Sequence, residues 1–222
     1  MNRTCLFALF LLLNYNVLSQ SHPPFTSMDV FDLEWVNNPQ ISPDGKHIVY
    51  QRQGMDIMND KRQSRLWIIQ SDGTNHYKLT EQETNESNPV WSPDGQRIAF
   101  SATTEQGSEL YVYWMNTGKI ARISQLPASP SKVSWSPDGQ LLAFSMKVPG
   151  KELSLVKAPK KPRGAQWADP PKITTRFKHE SDGSGYISPG FHQLFVISSH
   201  GGSPRQLSSG NFQHRGTPAW SA

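Results

Sequence analysis

Ser-Pro-Asp-Gly occurs three times in this chain, at 42–45, 92–95 and 136–139, and the flanks repeat with it. The second copy follows Val90-Trp91 and leads through Gln96 to Ile98-Ala99-Phe100; the third follows Ser134-Trp135 and leads through Gln140 to Leu142-Ala143-Phe144. In the first copy Ile41 replaces the Trp and the sequel is Ile48-Val49-Tyr50. Pro sets φ for the second position of a tight turn, Asp accepts from nearby backbone N–H groups, and Gly takes the left-handed dihedrals that close it. The β-branched and aromatic run that follows reads as a strand. Three unrelated surface turns would not keep their apolar flanks in phase.

A second pair of strands lies downstream of the turns. Leu66-Trp67-Ile68-Ile69 leads through Asp72-Gly73 to Leu79, Leu110-Tyr111-Val112-Tyr113 through Thr117-Gly118 to Ile123, and Leu194-Phe195-Val196-Ile197 through Gly201-Gly202 to Leu207. The offset is 13 residues each time. The unit is therefore four short antiparallel strands, the content of one blade of an all-β propeller.

Blade pitch follows from the Trp position: Ile41 to Trp91 is 50 residues, Trp91 to Trp135 is 44, and Trp135 to Trp220 is 85. The last gap is nearly two pitches and predicts a degenerate blade inside it, with 181–187 as its eroded hairpin. The expected blades are thus 39–80, 89–124, 133–164 and 165–208, with the next begun at 217–222. Propellers close on themselves with about four to eight blades. Four blades and the start of a fifth are therefore expected to be the N-terminal part of a longer chain; a complete four-bladed ring would leave Trp220 without a place.

Residues 1–19 read as a secretory signal peptide, with Arg3 before an apolar run from Cys5 to Leu13, small or β-branched residues at Val17 and Ser19, and Gln20 as the new N-terminus. The run of 9 apolar residues is short for a membrane span, which needs about 17 to 25. No stable membrane insertion is expected after cleavage, and the product is expected in the periplasm or outside the cell. Cys5 is the only cysteine, so the mature chain has no disulfide framework, thiol nucleophile or cysteine metal site. Asn85-Glu86-Ser87 is a formal glycosylation sequon, read here as chance. Loss of Arg3 takes the formal charge from +4 to +3. The basic cluster 157–163 is interrupted by Pro and reads as a solvated link, so no nucleic-acid partner is expected.

Residues 26–38 predict a short N-terminal helix, capped by Thr26 with Asp29, with Val30, Leu33 and Trp35 toward an apolar face. It reads equally as a cover for the ring or as a docking element. Two segments are candidates for contact: the polar, Met-containing insertion 54–63 of the first blade, and Thr175-Arg176-Phe177-Lys178-His179-Glu180. Catalytic motifs are not found. Gly201-Gly202-Ser203-Pro204-Arg205 lacks the last Gly of a nucleophile elbow, and His179-Glu180 lacks the second His of a zinc helix. The seven His residues are dispersed, and Asp44, Asp94 and Asp138 belong to separate turns. No catalytic, cofactor or metal residue is assigned, and no cofactor is expected.

The Trp-Ser-Pro-Asp-Gly-Gln repeats resemble those of the Tol-system periplasmic propeller and of prolyl oligopeptidase family serine peptidases. Asp32-Leu33-Glu34-Trp35-Val36 before the first repeat, Asp182-Gly183-Ser184-Gly185-Tyr186 before His192-Gln193-Leu194, and the run 201–221 are similar to the acylaminoacyl-peptidase-like branch. That resemblance implies a seven- or eight-bladed propeller that gates a C-terminal α/β-hydrolase domain of the same polypeptide, with short or N-acylated oligopeptides as substrates. None of the catalytic Ser, His and Asp residues so implied lies in this chain, which by itself is expected to be inactive. The paired-glutamate motif for a free peptide N-terminus is likewise not found in it. The alternative is a non-catalytic periplasmic propeller for protein–protein interaction.

Overall fold

The computed structural model describes residues 24–82, 84–104, 107–151, 153, 159–168, 171–182 and 185–221. The leader 1–19 lies outside them. The described residues form an all-β arc of three four-stranded antiparallel sheets and one two-stranded hairpin. The first sheet is β1 (Trp35–Ile41), β2 (His47–Asp56), β3 (Lys61–Gln70) and β4 (Tyr77–Lys78), paired in chain order. The second is β5 (Asn85–Trp91), β6 (Arg97–Thr104), β7 (Gly107–Trp114) and β8 (Lys119–Arg122), in the same order.

The third sheet departs from the expected boundaries. It joins β9 (Ser131–Trp135) and β10 (Leu141–Pro149) to β13 (Gly190–Ser198) and β14 (Arg205–Gln206). β10 pairs with β13 without a register break from Leu141↔Ser198 to Pro149↔Gly190. The strands assigned above to a fourth blade therefore complete the third, and 165–208 is not a blade. Residues 150–189 are inserted into the middle hairpin as an arm, whose described residues carry the small ladder of β11 (Glu180–Ser181) and β12 (Gly185–Tyr186). The arm is close to one blade in length, which is why the Trp pitch suggested a blade there.

The Trp residues latch each blade to its predecessor. Trp91 Nε1 donates to Gln40 O and Trp135 Nε1 to Val90 O, both at 3.1 Å. Trp220 Nε1 donates to Ser134 Oγ at 3.1 Å, at the equivalent place beside Trp135. Trp220 thus occupies the first-strand position directly after the third blade.

Two apolar clusters fill the spaces between blades. Val49, Leu66 and Ile68 of the first blade meet Ile98, Phe100 and Tyr111 of the second. Ala99, Leu110 and Val112, on the opposite face of the second, meet Trp135, Leu142, Phe144 and Phe195 of the third. β6 is buried on both faces from Arg97 to Ala102, so Ile98-Ala99-Phe100 reads as an unbroken apolar run rather than an alternating one. Cross-strand pairs Phe100–Tyr111 and Phe144–Phe195 stack at 5.6 and 5.7 Å between centroids.

The N-terminal helix is shorter than expected. Only Ser27–Asp32 is helical, as a 3₁₀ helix, with Thr26 N–H donating to Asp29 Oδ2 at 2.5 Å. Leu33 is already extended, and Trp35 and Val36 pair with Gln53 and Arg52 in β1. Six residues that bury nothing give the helix no tertiary support, whereas the strand gains a ladder. The expected apolar face is exposed at Val30 and Leu33.

Each first strand carries a bulge three residues before the Ile or Trp position. Asn38, Asn88 and Lys132 sit there with φ of 48°, 54° and 55°. Asn tolerates the left-handed region through its short polar side chain; Lys does not. Lys132→Asn is expected to stabilise the third blade by roughly 0.5–1 kcal/mol. A thermal midpoint that stays level or falls on this exchange would refute the strain argument.

Candidate functional site

The blades have two unlike ends. At one, the three Ser-Pro-Asp-Gly turns close β1–β2, β5–β6 and β9–β10 with the same bonds. In the third, Ser136 Oγ donates to Asp138 Oδ1 at 2.5 Å and accepts from Leu141 N at 2.9 Å, and Gln140 N donates to the same Asp oxygen at 3.0 Å. Gly45, Gly95 and Gly139 take φ of 73°, 67° and 67°. The hydroxyls of Ser42 and Ser136, then the backbone N–H groups of Lys46 and Gln140, hold the Asp44 and Asp138 carboxyls below the ordinary range. These carboxylates are occupied as turn acceptors.

Neighbouring turns stack on one another. A Cβ on Gly95 would lie 3.5 Å from Pro43, and one on Gly139 would lie 2.8 Å from the Arg97 guanidinium. Arg97, 9% exposed, bridges the second and third blades: Nη2 donates to Gly139 O at 2.9 Å, Nη1 to Ser199 Oγ at 3.2 Å, and Cζ stands 4.7 Å above the Trp135 ring. Its position in the repeat is held by His47 in the first blade and Leu141 in the third, so the sequence carried no signal for it.

The opposite end carries the elaborations. The insertion 54–63 is the far part of the β2–β3 hairpin, with Ile57 and Met58 exposed at its tip. The arm 150–189 leaves and rejoins the third blade at this same end. Four cavities among the described residues open there. A polar one of about 610 Å³ lies between the first and second blades, lined by Asp56, Lys61, Arg62, Asn85 and Thr103. One of about 290 Å³ has Arg52, paired with Glu34, 4.7 Å above the Trp67 ring. Two adjoining ones, about 410 and 150 Å³, share Lys151, Arg176 and Pro189 at the root of the arm.

Buried charge also concentrates toward this end. Glu86, fully buried, accepts from Leu66 N at 2.9 Å and from the Thr80 hydroxyl, tying β5 to the first blade. Burial pushes its carboxyl up, against those two hydrogen bonds. Glu109, 2% exposed, accepts from Arg122 Nη1 at 3.0 Å and from the Tyr111 hydroxyl at 2.7 Å. Burial first, then that carboxylate, pushes the Tyr111 phenol up to about 12. Sequence reading missed both carboxylates: Glu86 sat inside an apparent sequon, and Glu109 had no motif.

The two contact segments selected from sequence do lie at this end. Arg176 rests 5.6 Å from the Phe191 ring, Phe177 projects fully exposed, and the His179 ring lies 3.3 Å from its own loop at Phe177 O. The Gly201-Gly202 segment is the turn between β13 and β14, and Gly202 N donates to Ile123 O of the second blade. Among the described residues, no three His, Cys, Asp or Glu side chains form a metal-binding group, and no helix is long and apolar enough to cross a membrane.

Comparison with known proteins fits this geometry. The family model of the TolB beta propeller domain matches residues 55–222. "Uncharacterized peptidase YuxL" of Bacillus subtilis is 26% identical over 197 residues, covering 88% of this chain and 29% of that protein. "Dipeptidyl-peptidase 5" of Porphyromonas gingivalis is 38% identical over 76 residues, 34% of this chain and 11% of its own length. Among solved structures, Pyrococcus horikoshii acylaminoacyl peptidase superposes with a TM-score of 0.59 at 12% identity, over 80% of this chain and 26% of that one. The chain thus spans less than a third of each of these proteins. The repeated turns, the four-stranded blades and the family match agree: this chain belongs to the TolB beta propeller domain family.

Proposed function

We propose that this chain is the propeller part of an exported serine peptidase that cleaves short or N-acylated oligopeptides in a separate α/β-hydrolase domain. The observation that carries the reading is the likeness to a peptidase along 88% of the chain, extending over all three blades. The gating role draws support from the gathering of cavities, hairpin tip and arm at one end, which gives a partner domain a single elaborated face. In such an enzyme a Ser attacks the peptide carbonyl, a His moves the proton, an Asp orients the His, and backbone N–H groups hold the oxyanion. The propeller contributes access control. Export draws on the leader at 1–19 and the absence of cysteine after it.

The intact gene product is expected to take a fluorophosphonate label on one Ser, to hydrolyse an acetyl-peptide anilide, and to begin at Gln20 when recovered from outside the cytoplasm. An intact product that takes no label, cleaves no peptide and holds only further blades would replace this reading with that of an interaction propeller.

A further inference from the structure

We propose that the groove at the root of the 150–189 arm binds the C-terminal carboxylate of a short peptide. Two cations meet there. Lys151 and Arg176 line both adjoining cavities, and neither has a carboxylate partner among the described residues. The Arg176 guanidinium stands 5.6 Å from the Phe191 ring, and a guanidinium's N–H groups can fork onto a carboxylate. Lys172, which lines neither cavity, stands 5.1 Å from the ring of Tyr186 in the wall of the smaller one.

The walls differ on the two sides of this charged seam. The smaller cavity, about 150 Å³ and room for one side chain, is mixed, with Leu153, Ile173 and Ile187 beside Thr174, Thr175 and the two cations. The larger, at about 410 Å³, is walled by backbone where Gly150 and Gly190 cross. A Cβ on Gly190 would fall 2.4 Å from Val148 O, so the close crossing that shapes this wall requires glycine. Such a site offers a pocket for an apolar terminal side chain beside charges for its carboxylate.

Charge distribution points the same way. Between 150 and 189 there are eight Lys and Arg against four Asp and Glu, which equals the formal +4 of the whole chain. An N-acylated oligopeptide has lost its amine charge and keeps the terminal carboxylate, so it is a net anion. A basic arm at the elaborated end attracts that ligand over a Debye length of about 10 Å at 0.1 M salt. The peptide source of the carboxylate rests on the peptidase reading; the binding step does not, because it is measurable without catalysis.

The test uses the intact protein after fluorophosphonate treatment, with acetyl-Ala-Leu-Leu as free acid and as amide, by titration calorimetry at low salt. The free acid is expected to bind about tenfold more tightly than the amide, with the preference shrinking as salt rises. The Lys151→Ala, Arg176→Ala double variant is expected to bind both equally, at the amide's affinity. Both side chains are exposed, and the acid-to-amide comparison in the unmodified protein needs no variant. Equal affinities for acid and amide would overturn the proposal, as would a preference that survives the double variant. An acetyl-Leu-Asp-Leu amide bound as tightly as the free acid would overturn it too, assigning the groove to acidic side chains.

Discussion

Replacing Arg97 by Ala is expected to cost the protein about 3 kcal/mol and to separate its unfolding into two transitions. The guanidinium is the charged link across a largely apolar seam, reaching Gly139 O and Ser199 Oγ in the third blade while lying over Trp135. Truncation removes two charge-assisted hydrogen bonds and the cation–π contact, and opens a void beside a Gly that has no side chain to fill it. Repeat architectures are held by nearest-neighbour interfaces, so weakening one interface uncouples the units on either side. Arg97→Leu is the informative companion. Leu141 holds the equivalent position in the third blade, and Ser199 Oγ still donates to Gly139 O at 3.1 Å, so no buried carbonyl is orphaned. The Leu variant is expected to lose about 1 kcal/mol and to keep a single transition. Chemical denaturation followed by Trp fluorescence distinguishes the cases; a single, unshifted transition for Arg97→Ala would refute the linchpin role.

The repeat made the blade legible because its information is local. Ser42, Ser92 and Ser136 each bond the residue five positions on, and Gly45, Gly95 and Gly139 each need positive φ, so the tetrapeptide determines its own hairpin. Blade count was less legible, because it depends on pairing across 40 residues. Nothing near Gly190 announces that it returns to Pro149, and the pitch from Trp135 to Trp220 accommodates an inserted arm as readily as another blade. The helix was over-extended because Thr26 and Asp29 mark a start, while the strand that ends it draws its energy from Gln51 to Gln53, far along the chain. Charged residues between blades were the least legible. Arg97, Glu86 and Glu109 look like surface polar residues until a neighbouring blade covers them. The arm's groove was half visible: the segment around Arg176 was marked for contact, but its meeting with Lys151 and Phe191 is tertiary.

Glu86 yields the prediction with the clearest pH signature. Its folded carboxyl is pushed above the ordinary 4.5, burial being the cause and the hydrogen bonds from Thr80 and Leu66 opposing it. The native state therefore holds this proton more tightly than the unfolded chain. Stability from this group is fully present below about pH 4.5 and is lost as pH rises through the folded value, after which the loss is constant. Glu86→Gln is isosteric and uncharged: its amide oxygen can accept from Leu66 N, and the Thr80 hydroxyl can turn to accept from its NH2 group. This variant is expected to stay within about 1 kcal/mol of the native protein at pH 7 and to lack the decline above pH 4.5. Glu86→Ala leaves the Leu66 N–H and the Thr80 hydroxyl without their buried acceptor, and an unfilled space between the first two blades. It is expected to cost about 3 kcal/mol at pH 4, a gap that narrows as pH rises and the native protein alone loses the contribution of its protonated carboxyl. Measuring unfolding free energy from pH 4 to 8 for the three proteins decides the matter. Parallel curves for native and Gln proteins would show that the buried carboxylate is not what makes the seam sensitive to pH, whereas convergence at low pH and divergence above it would assign that sensitivity to one side chain.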